Sequence, residues 1–308
     1  CPQTQTKSPN AHAMTASTLA WALSQLDAGN RVAIASVVES QGSVPGKVGA
    51  KIAISLNGEQ YGTVGGAGLE MMVIEHLQGV LKGEIIPGIE RFQLRKESRE
   101  KTDRESDLTA LNSLCGGIVT IVSEVLDAPP HVLLAGGGHC AIAIGKMAEV
   151  LDWKISVMDA RAEFVDENMH PNAVERIHAM PVDFLQHESG ESLGRFSHIL
   201  IMGHDWTIDQ DLLLGLLSGR ESGMIDGSFM LGTIGSQAKW RSFTQAAQEA
   251  GISDTALDAV ICPIGIDVNA QTPEEIAIAV CAQIIDQRSR ILRGEDPIRH
   301  SGWRAHSS

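Results

Sequence analysis

The chain reads as an α/β protein in two domains: an N-terminal α+β domain followed by a Rossmann-like, doubly wound parallel-sheet domain. Three observations carry that reading. Residues 130–161, PHVLLAGGGHCAIAIGKMAEVLDWKISVMDAR, spell strand, glycine turn, helix and second strand, with an acid at the second strand's end. A later apolar run, Ser197–Met202, ends in Gly203-His204-Asp205 and leads into a helical pattern. Between the halves, Asp127-Ala128-Pro129-Pro130 is the best linker candidate. The expected layout is 15–127 and 128–290, with tails at 1–14 and 291–308.

The glycine turn has a specific chemistry. Gly136-Gly137-Gly138-His139-Cys140-Ala141 matches G-x-G-x-x-A. Such a turn lets the backbone approach a pyrophosphate, which the N–H groups of the helix start then receive. Asp159 follows at about the 20-residue spacing of a ribose-binding acid. Arg161 is placed to meet a 2′-phosphate or to pair with an acid. On these grounds Gly136, Gly138, His139, Asp159 and Arg161 are candidate ligand contacts.

Composition narrows the function. The 308 residues carry a net charge of −14 and only 4% aromatics, which argues against nucleic-acid and anionic-membrane binding. No apolar run reaches the roughly 18 residues of a membrane-spanning helix. Five scattered cysteines without CxxC spacing point to a reducing, cytoplasmic setting and to no zinc site built from cysteine pairs. The residues before Met14 are polar and lack an apolar signal core, so Met14 is read as a candidate start.

In chain order, Leu19, Leu23 and Leu26 recur at helical spacing between a Thr15 or Ser17 cap and Gly29. Arg31–Glu39 is a β-branched strand. Ser40–Gly49 follows as a glycine-rich loop: either a long turn, or an anion-binding loop using Ser43, Lys47 and its N–H groups. Strands Ala50–Ser55 and Gln60–Val64 flank an Asn57-Gly58 turn. Gly65-Gly66-Ala67-Gly68-Leu69-Glu70 then opens a helix to about Leu81, a second anion-receiving junction in which Glu70 equally serves the helix dipole.

Residues 90–114 are strongly charged and read as an exposed, partly helical or mobile segment. Cys115-Gly116-Gly117 precedes the strand Ile118–Val125; the thiol is either accessible at the strand mouth or a buried inert cysteine. In the second half a short strand is expected near Ala173–His178, and a helix over Gln210–Leu217. His204 and Asp205 fall on the same sheet edge as Gly138 and Asp159, as an acid/base couple, a metal site or loop-orienting residues. Strand Phe229–Ile234 leads to Ser236, a helix cap, and to Lys239, a first-turn cation whose cost an anionic ligand or a local acid would offset. Thr272-Pro273-Glu274-Glu275 is a capping-box start for a helix through Ile285.

Taken together, GSVPGKVGAK, GTVGGAGLE, CGG, LLAGGGHCA, MDAR, MGHDWTID, GTIGSQAKW and CPIGIDVNAQTPEEIA run in an order that resembles the XdhC/CoxI family of accessory factors for xanthine dehydrogenase and related molybdenum hydroxylases. The resemblance covers about residues 20–285. It implies an N-terminal XdhC-type domain, binding of the molybdenum cofactor (molybdopterin or its dinucleotide form) as cargo, help with its sulfurated form, and delivery to an apo molybdenum hydroxylase. A cysteine desulfurase partner and a homodimer are further implications. Cys115 matches the family's CGG cysteine, a soft thiolate ligand suited to molybdenum, and Gly65, Gly66, Gly68 and Glu70 match its GGxxLE motif. Many relatives have cysteine or histidine where this chain has Gly68, and arginine where it has Gly46. Two other readings stand beside this one: an NAD(P)-dependent oxidoreductase using the Rossmann unit, and a scaffold that only docks a desulfurase or the target enzyme.

Overall fold

The computed structural model describes residues 11–96, 109–113, 117–225, 229–292, 295 and 304. The chain divides into two compact units, 1–128 and 129–308. The candidates Cys115 and Gly116 lie outside the described residues.

The first unit runs α1 (Ala11–Asp27), β1 (Val32–Gly42), β2 (Lys51–Ser55), β3 (Gln60–Thr63), α2 (Ala67–Leu81), β4 (Ile89–Lys96), β5 (Thr109–Ser113) and β6 (Gly117–Leu126). Its six-stranded sheet has the order β3-β2-β1-β6-β4-β5 and is antiparallel except for the β4–β5 pair. Alternation along β1 separates the two faces. Ala33, Ala35 and Val37 pack with Leu69, Val73, Leu77 and Leu81, the four-residue stripe of α2. Val32 and Ile34 pack with Ala22 and Trp21 of α1.

Three expectations are corrected in this unit. The charged segment expected to be partly helical or mobile contains β4, which pairs with β6 through Phe92↔Val119 and Leu94↔Gly117. Phe92 and Leu94 point inward and are buried; with period two, Arg91 and Gln93 fall on the other face, so a charge-rich string still makes a core strand. β1 runs on to Gly42 through a bulge between Val37 and Glu39, so the glycine-rich loop starts later than expected. α1 also starts at Ala11, ahead of Thr15 and Ser17.

The second unit runs β7 (His131–Ala135), α3 (His139–Val150), β8 (Lys154–Asp159), a 3-10 turn (Ala162–Val165), β9 (Glu175–His178), α4 (Pro181–His187), α5 (Gly190–Leu193), β10 (His198–Ile201), α6 (Trp206–Glu221), β11 (Met230–Thr233), α7 (Gln237–Glu249), α8 (Asp254–Asp258) and α9 (Pro273–Leu292). Its strands are all parallel, in the order β11-β10-β7-β8-β9. Strand order reverses between β7 and β10, which is where a doubly wound sheet opens its crevice. All five residues of β7 are buried, as both faces are covered. Leu133, Ile199 and Leu231 pack with α6 and α7 on one side; Val132, Leu134 and Leu200 pack with α3 and α9 on the other. α6 starts four residues before the expected Gln210, and α9 runs seven beyond Ile285. Among the described residues, no helix is long and apolar enough to cross a membrane.

Candidate functional site

The glycine turn after β7 is held from three sides. Gly136 adopts φ 119° and packs against Met202 and Gly203 at the end of β10. At Gly137 a Cβ would lie 1.9 Å from the Phe164 carbonyl oxygen. The Gly137 N–H donates to Asp159 Oδ2 at 2.9 Å, and its carbonyl accepts from buried His170 Nε2 at 3.0 Å. That bond places the His170 proton on Nε2. Gly138 differs: its φ is −73° and nothing lies within 4 Å of an added Cβ. It precedes α3, whose N-terminus has no side-chain cap. The first N–H groups of α3 are therefore met by no capping side chain, and such groups are the kind that receive an oxyanion. His139 is exposed in that first turn.

Asp159 lies at the tip of β8 and is 6% exposed. Its Oδ1 accepts from Arg161 N at 2.9 Å and Nε at 3.0 Å; its Oδ2 accepts from Gly137 N and from the Arg161 guanidinium, each at 2.9 Å. Burial alone would raise its pKa, but the bonds from Arg161 and Gly137 outweigh it and hold the carboxyl below its ordinary value. A carboxylate has about four acceptor positions, and all are engaged. Arg161 in turn stacks on Phe164, 3.6 Å from the ring centroid.

Across the crevice stand Gly203, His204, Asp205 and Asp209, with Ala135, Gly136, Met158 and Asp159 opposite. His204 is exposed. Asp205 is the N-cap of α6, accepting from Thr207 N at 2.8 Å, and this bond depresses its pKa. One site residue that sequence reasoning missed is Asp209. It is buried, accepts from Gly203 N at 3.0 Å, and pairs with Lys239 Nζ at 2.6 Å. Burial raises its pKa, opposed by Lys239. Lys239 thus has its local acid. Ser236 caps α7 by accepting from Lys239 N at 3.3 Å. His170 was missed as well; an acid in the first turn of α6 was a visible cue for Asp209, whereas nothing local marks His170.

In the first unit the two glycine-rich loops meet. A Cβ on Gly65 (φ 86°) would strike the Pro45 carbonyl, and one on Gly46 the Val64 carbonyl. Glu70 turns back on its own loop, accepting from Gly65 N at 3.3 Å and from Thr63 Oγ1. It fixes the loop rather than facing outward. Gly66 is the residue before α2, and Gly68 is exposed in its first turn. Beside Pro45 and Gly65 lies a pocket of about 140 Å³ that Lys47, Lys51 and Thr63 also line. Lys51 Nζ donates to Ser36 Oγ at 2.6 Å. Ser43 is exposed and does not line this pocket.

The described cysteines are not poised as thiolates. Burial, then the Glu274 charge, raises the Cys140 pKa; burial pushes Cys262 up to about 12 and Cys281 to about 11. Among the described residues no group of three or more histidine, cysteine or acidic side chains could hold a metal ion.

Comparison with known proteins bears on both units. Residues 132–284 match the model of the XdhC Rossmann domain, and residues 25–93 that of the XdhC and CoxI family. The chain belongs to the XdhC/CoxI family. It is 26% identical over 267 residues to the uncharacterized protein YqeB of Escherichia coli K12, covering 85% of this chain and 44% of that protein. It is 23% identical over 168 residues to a protein of Bacillus subtilis 168 described as a probable xanthine dehydrogenase subunit, covering 54% and 45%. The chain thus spans less than half the length of these curated relatives. A solved structure described as a xanthine dehydrogenase from Bacillus halodurans aligns over 87% of this chain and 95% of that one, with 20% identity and a TM-score of 0.45.

Proposed function

We propose that this chain is an accessory factor for a molybdenum hydroxylase of the xanthine dehydrogenase type, holding the phosphorylated pterin cofactor as cargo for the apoenzyme. One observation carries the reading: the uncapped start of α3, with open space at Gly138, beside a glycine turn clamped by Asp159, Arg161 and His170. This is a rigid cradle for a phosphate, and the cargo of such a factor carries one. In the second unit the residues that would hold the group are Gly136, Gly138 and His139. The first unit's own pocket, with Lys47 and Lys51, offers a separate seat for an anion. A carrier needs no nucleophile–base pair. Asp205 caps a helix and Asp209 is tied to Lys239, so neither is poised for proton transfer.

The reading of the chain as an NAD(P)-dependent oxidoreductase is less favoured, because Asp159 has no acceptor left for a ribose hydroxyl. Family membership and a relative described as part of a xanthine dehydrogenase support the choice of partner enzyme. A cysteine desulfurase contact and a homodimer belong to the same proposal. Mass spectrometry of the small molecules released on denaturing the purified protein tests it. A pterin phosphate, free or as a dinucleotide, is expected; NAD(P) with no pterin would overturn the reading.

A further inference from the structure

The carboxyl edge of the second unit's sheet holds another cleft, of about 400 Å³, past the end of β11. Its apolar walls include Ile234, Ile264 and Ile276. The loop that forms it is fixed in advance: Gly265 N donates to Gln283 Oε1 at 2.7 Å, Ile264 N to the Thr233 carbonyl at 3.1 Å, and Ile266 N to the Ala279 carbonyl at 3.1 Å. Of the polar groups at its rim, Ser236 accepts from Lys239 N, and the Asn269 side-chain oxygen from Gln271 Nε2. Asp267 is different. Among the described residues it is the one carboxylate lining the cleft, it is exposed, and it has no hydrogen-bond or ion-pair partner.

A cleft with apolar walls and one unengaged carboxylate at its rim suits a flat ring that presents adjacent N–H donors. We propose that this cleft binds a fused heterocycle with a 2-amino-4-oxopyrimidine edge, the edge that guanine and pterins share. The ring's N–H pair meets Asp267, and its faces lie against Ile234, Ile264 and Ile276. Adenine presents no such donor pair: a ring-nitrogen acceptor would face the carboxylate. Placement agrees with this. β7, β10 and β11 are neighbours, so about 10 Å separates the end of β7, where the glycine turn begins, from the end of β11, where the cleft begins, a span for a ring with a short phosphate-bearing tail. The identity of the tail rests on the cofactor reading above; the recognition of the ring does not.

Titration calorimetry of the full chain with GMP, AMP and a pterin monophosphate tests it, in the wild type and in Asp267→Asn, with thermal unfolding as a check of the fold. GMP and the pterin monophosphate are expected to bind at least tenfold tighter than AMP, and Asp267→Asn to remove that preference. Pterin binding that is unchanged in Asp267→Asn would overturn the cleft assignment and leave the cofactor reading standing. GMP binding sensitive to Asp267→Asn with no pterin binding would overturn recognition of the shared edge and sink the cofactor reading with it. AMP binding as well as GMP, or binding by none of the three, would overturn the cleft assignment.

Discussion

Gly137 and Gly138 are adjacent and chemically identical, yet the structure assigns them opposite roles, and alanine separates the two. In Gly137→Ala the new methyl would sit 1.9 Å from the Phe164 carbonyl oxygen. Relief to an ordinary contact requires the turn to move by an ångström or more. That breaks the bond from Gly137 N to the Asp159 carboxylate and the bond from His170 to the Gly137 carbonyl. A buried bond to a charged group is worth about 1.5–3 kcal/mol and a neutral one about 1 kcal/mol. The expected loss is therefore about 2.5–4 kcal/mol of stability. In Gly138→Ala the methyl meets nothing within 4 Å and φ is already −73°. Lower chain entropy in the unfolded state favours alanine by a few tenths of a kcal/mol, and the helix N-cap disfavours it by a similar amount. Stability should move by less than about 0.5 kcal/mol. The same methyl occupies the space an oxyanion needs, so affinity for a pterin monophosphate should fall at least tenfold, about 1.4 kcal/mol. Urea unfolding with calorimetry on both variants is the assay. Equal destabilisation of the two, or full-strength phosphate binding by Gly138→Ala, would refute the reasoning.

Further expectations follow from the buried titratable groups and the crevice acids. Burial lowers the pKa of His131 and of His198 to about 4. The unfolded state, with histidine near 6.5, binds the extra protons first, so the stability these residues contribute is full above about pH 6.5 and is lost as pH falls towards 4. The slope is up to about 1.4 kcal/mol per pH unit for each histidine; urea midpoints at pH 7 and pH 5 should differ accordingly, and a flat profile would count against the neutral burial of both rings. Lys239→Met leaves Asp209 buried without its cation and should cost about 3 kcal/mol, most of it recovered in Asp209→Leu with Lys239→Met; a double-mutant cycle measures the coupling, and additive losses would show the pair to be uncoupled. Arg161→Ala frees two acceptor positions on Asp159, so NADH binding, read by fluorescence, should strengthen over the wild type; no change would show that another feature excludes the ribose.

What was legible in the sequence was what short-range chemistry writes. The Gly136–Gly138 turn, the Thr272 and Glu275 capping box, in which Thr272 Oγ1 accepts from Glu275 N and Glu275 accepts from Thr272 N, and the Ser236 cap each involve residues within a few positions. β4 was hidden because its charges dominate its composition, while only Phe92 and Leu94 carry the inward face. The partners within the site were hidden for a different reason. Asp209 and Lys239 are separated by 30 positions and Gly137 and His170 by 33, and only the parallel sheet brings them together. Lys239 did show its need for an anion through the helix dipole; the choice between a ligand and a local acid was not visible in the chain.

That choice recurs at Asp159, and it bears on function. An acid at the end of a second Rossmann strand usually turns outward to a ribose. Here it turns inward: the glycine turn and Arg161 use every acceptor position it has. The consequence, on the proposed reading, is a phosphate seat beside a held turn and, on the β8 side, an acid already bonded by the protein's own guanidinium. A dinucleotide lying across both halves of the sheet edge would have to displace a bidentate ion pair; a ligand entering from the β11 side needs only the seat at Gly138 and the cleft beyond. On the proposed reading, the fold would keep the half of the Rossmann site that holds phosphate and close the half that selects adenosine. On that reading the asymmetry, more than the glycine motif itself, would separate a carrier of a phosphorylated heterocycle from a dehydrogenase.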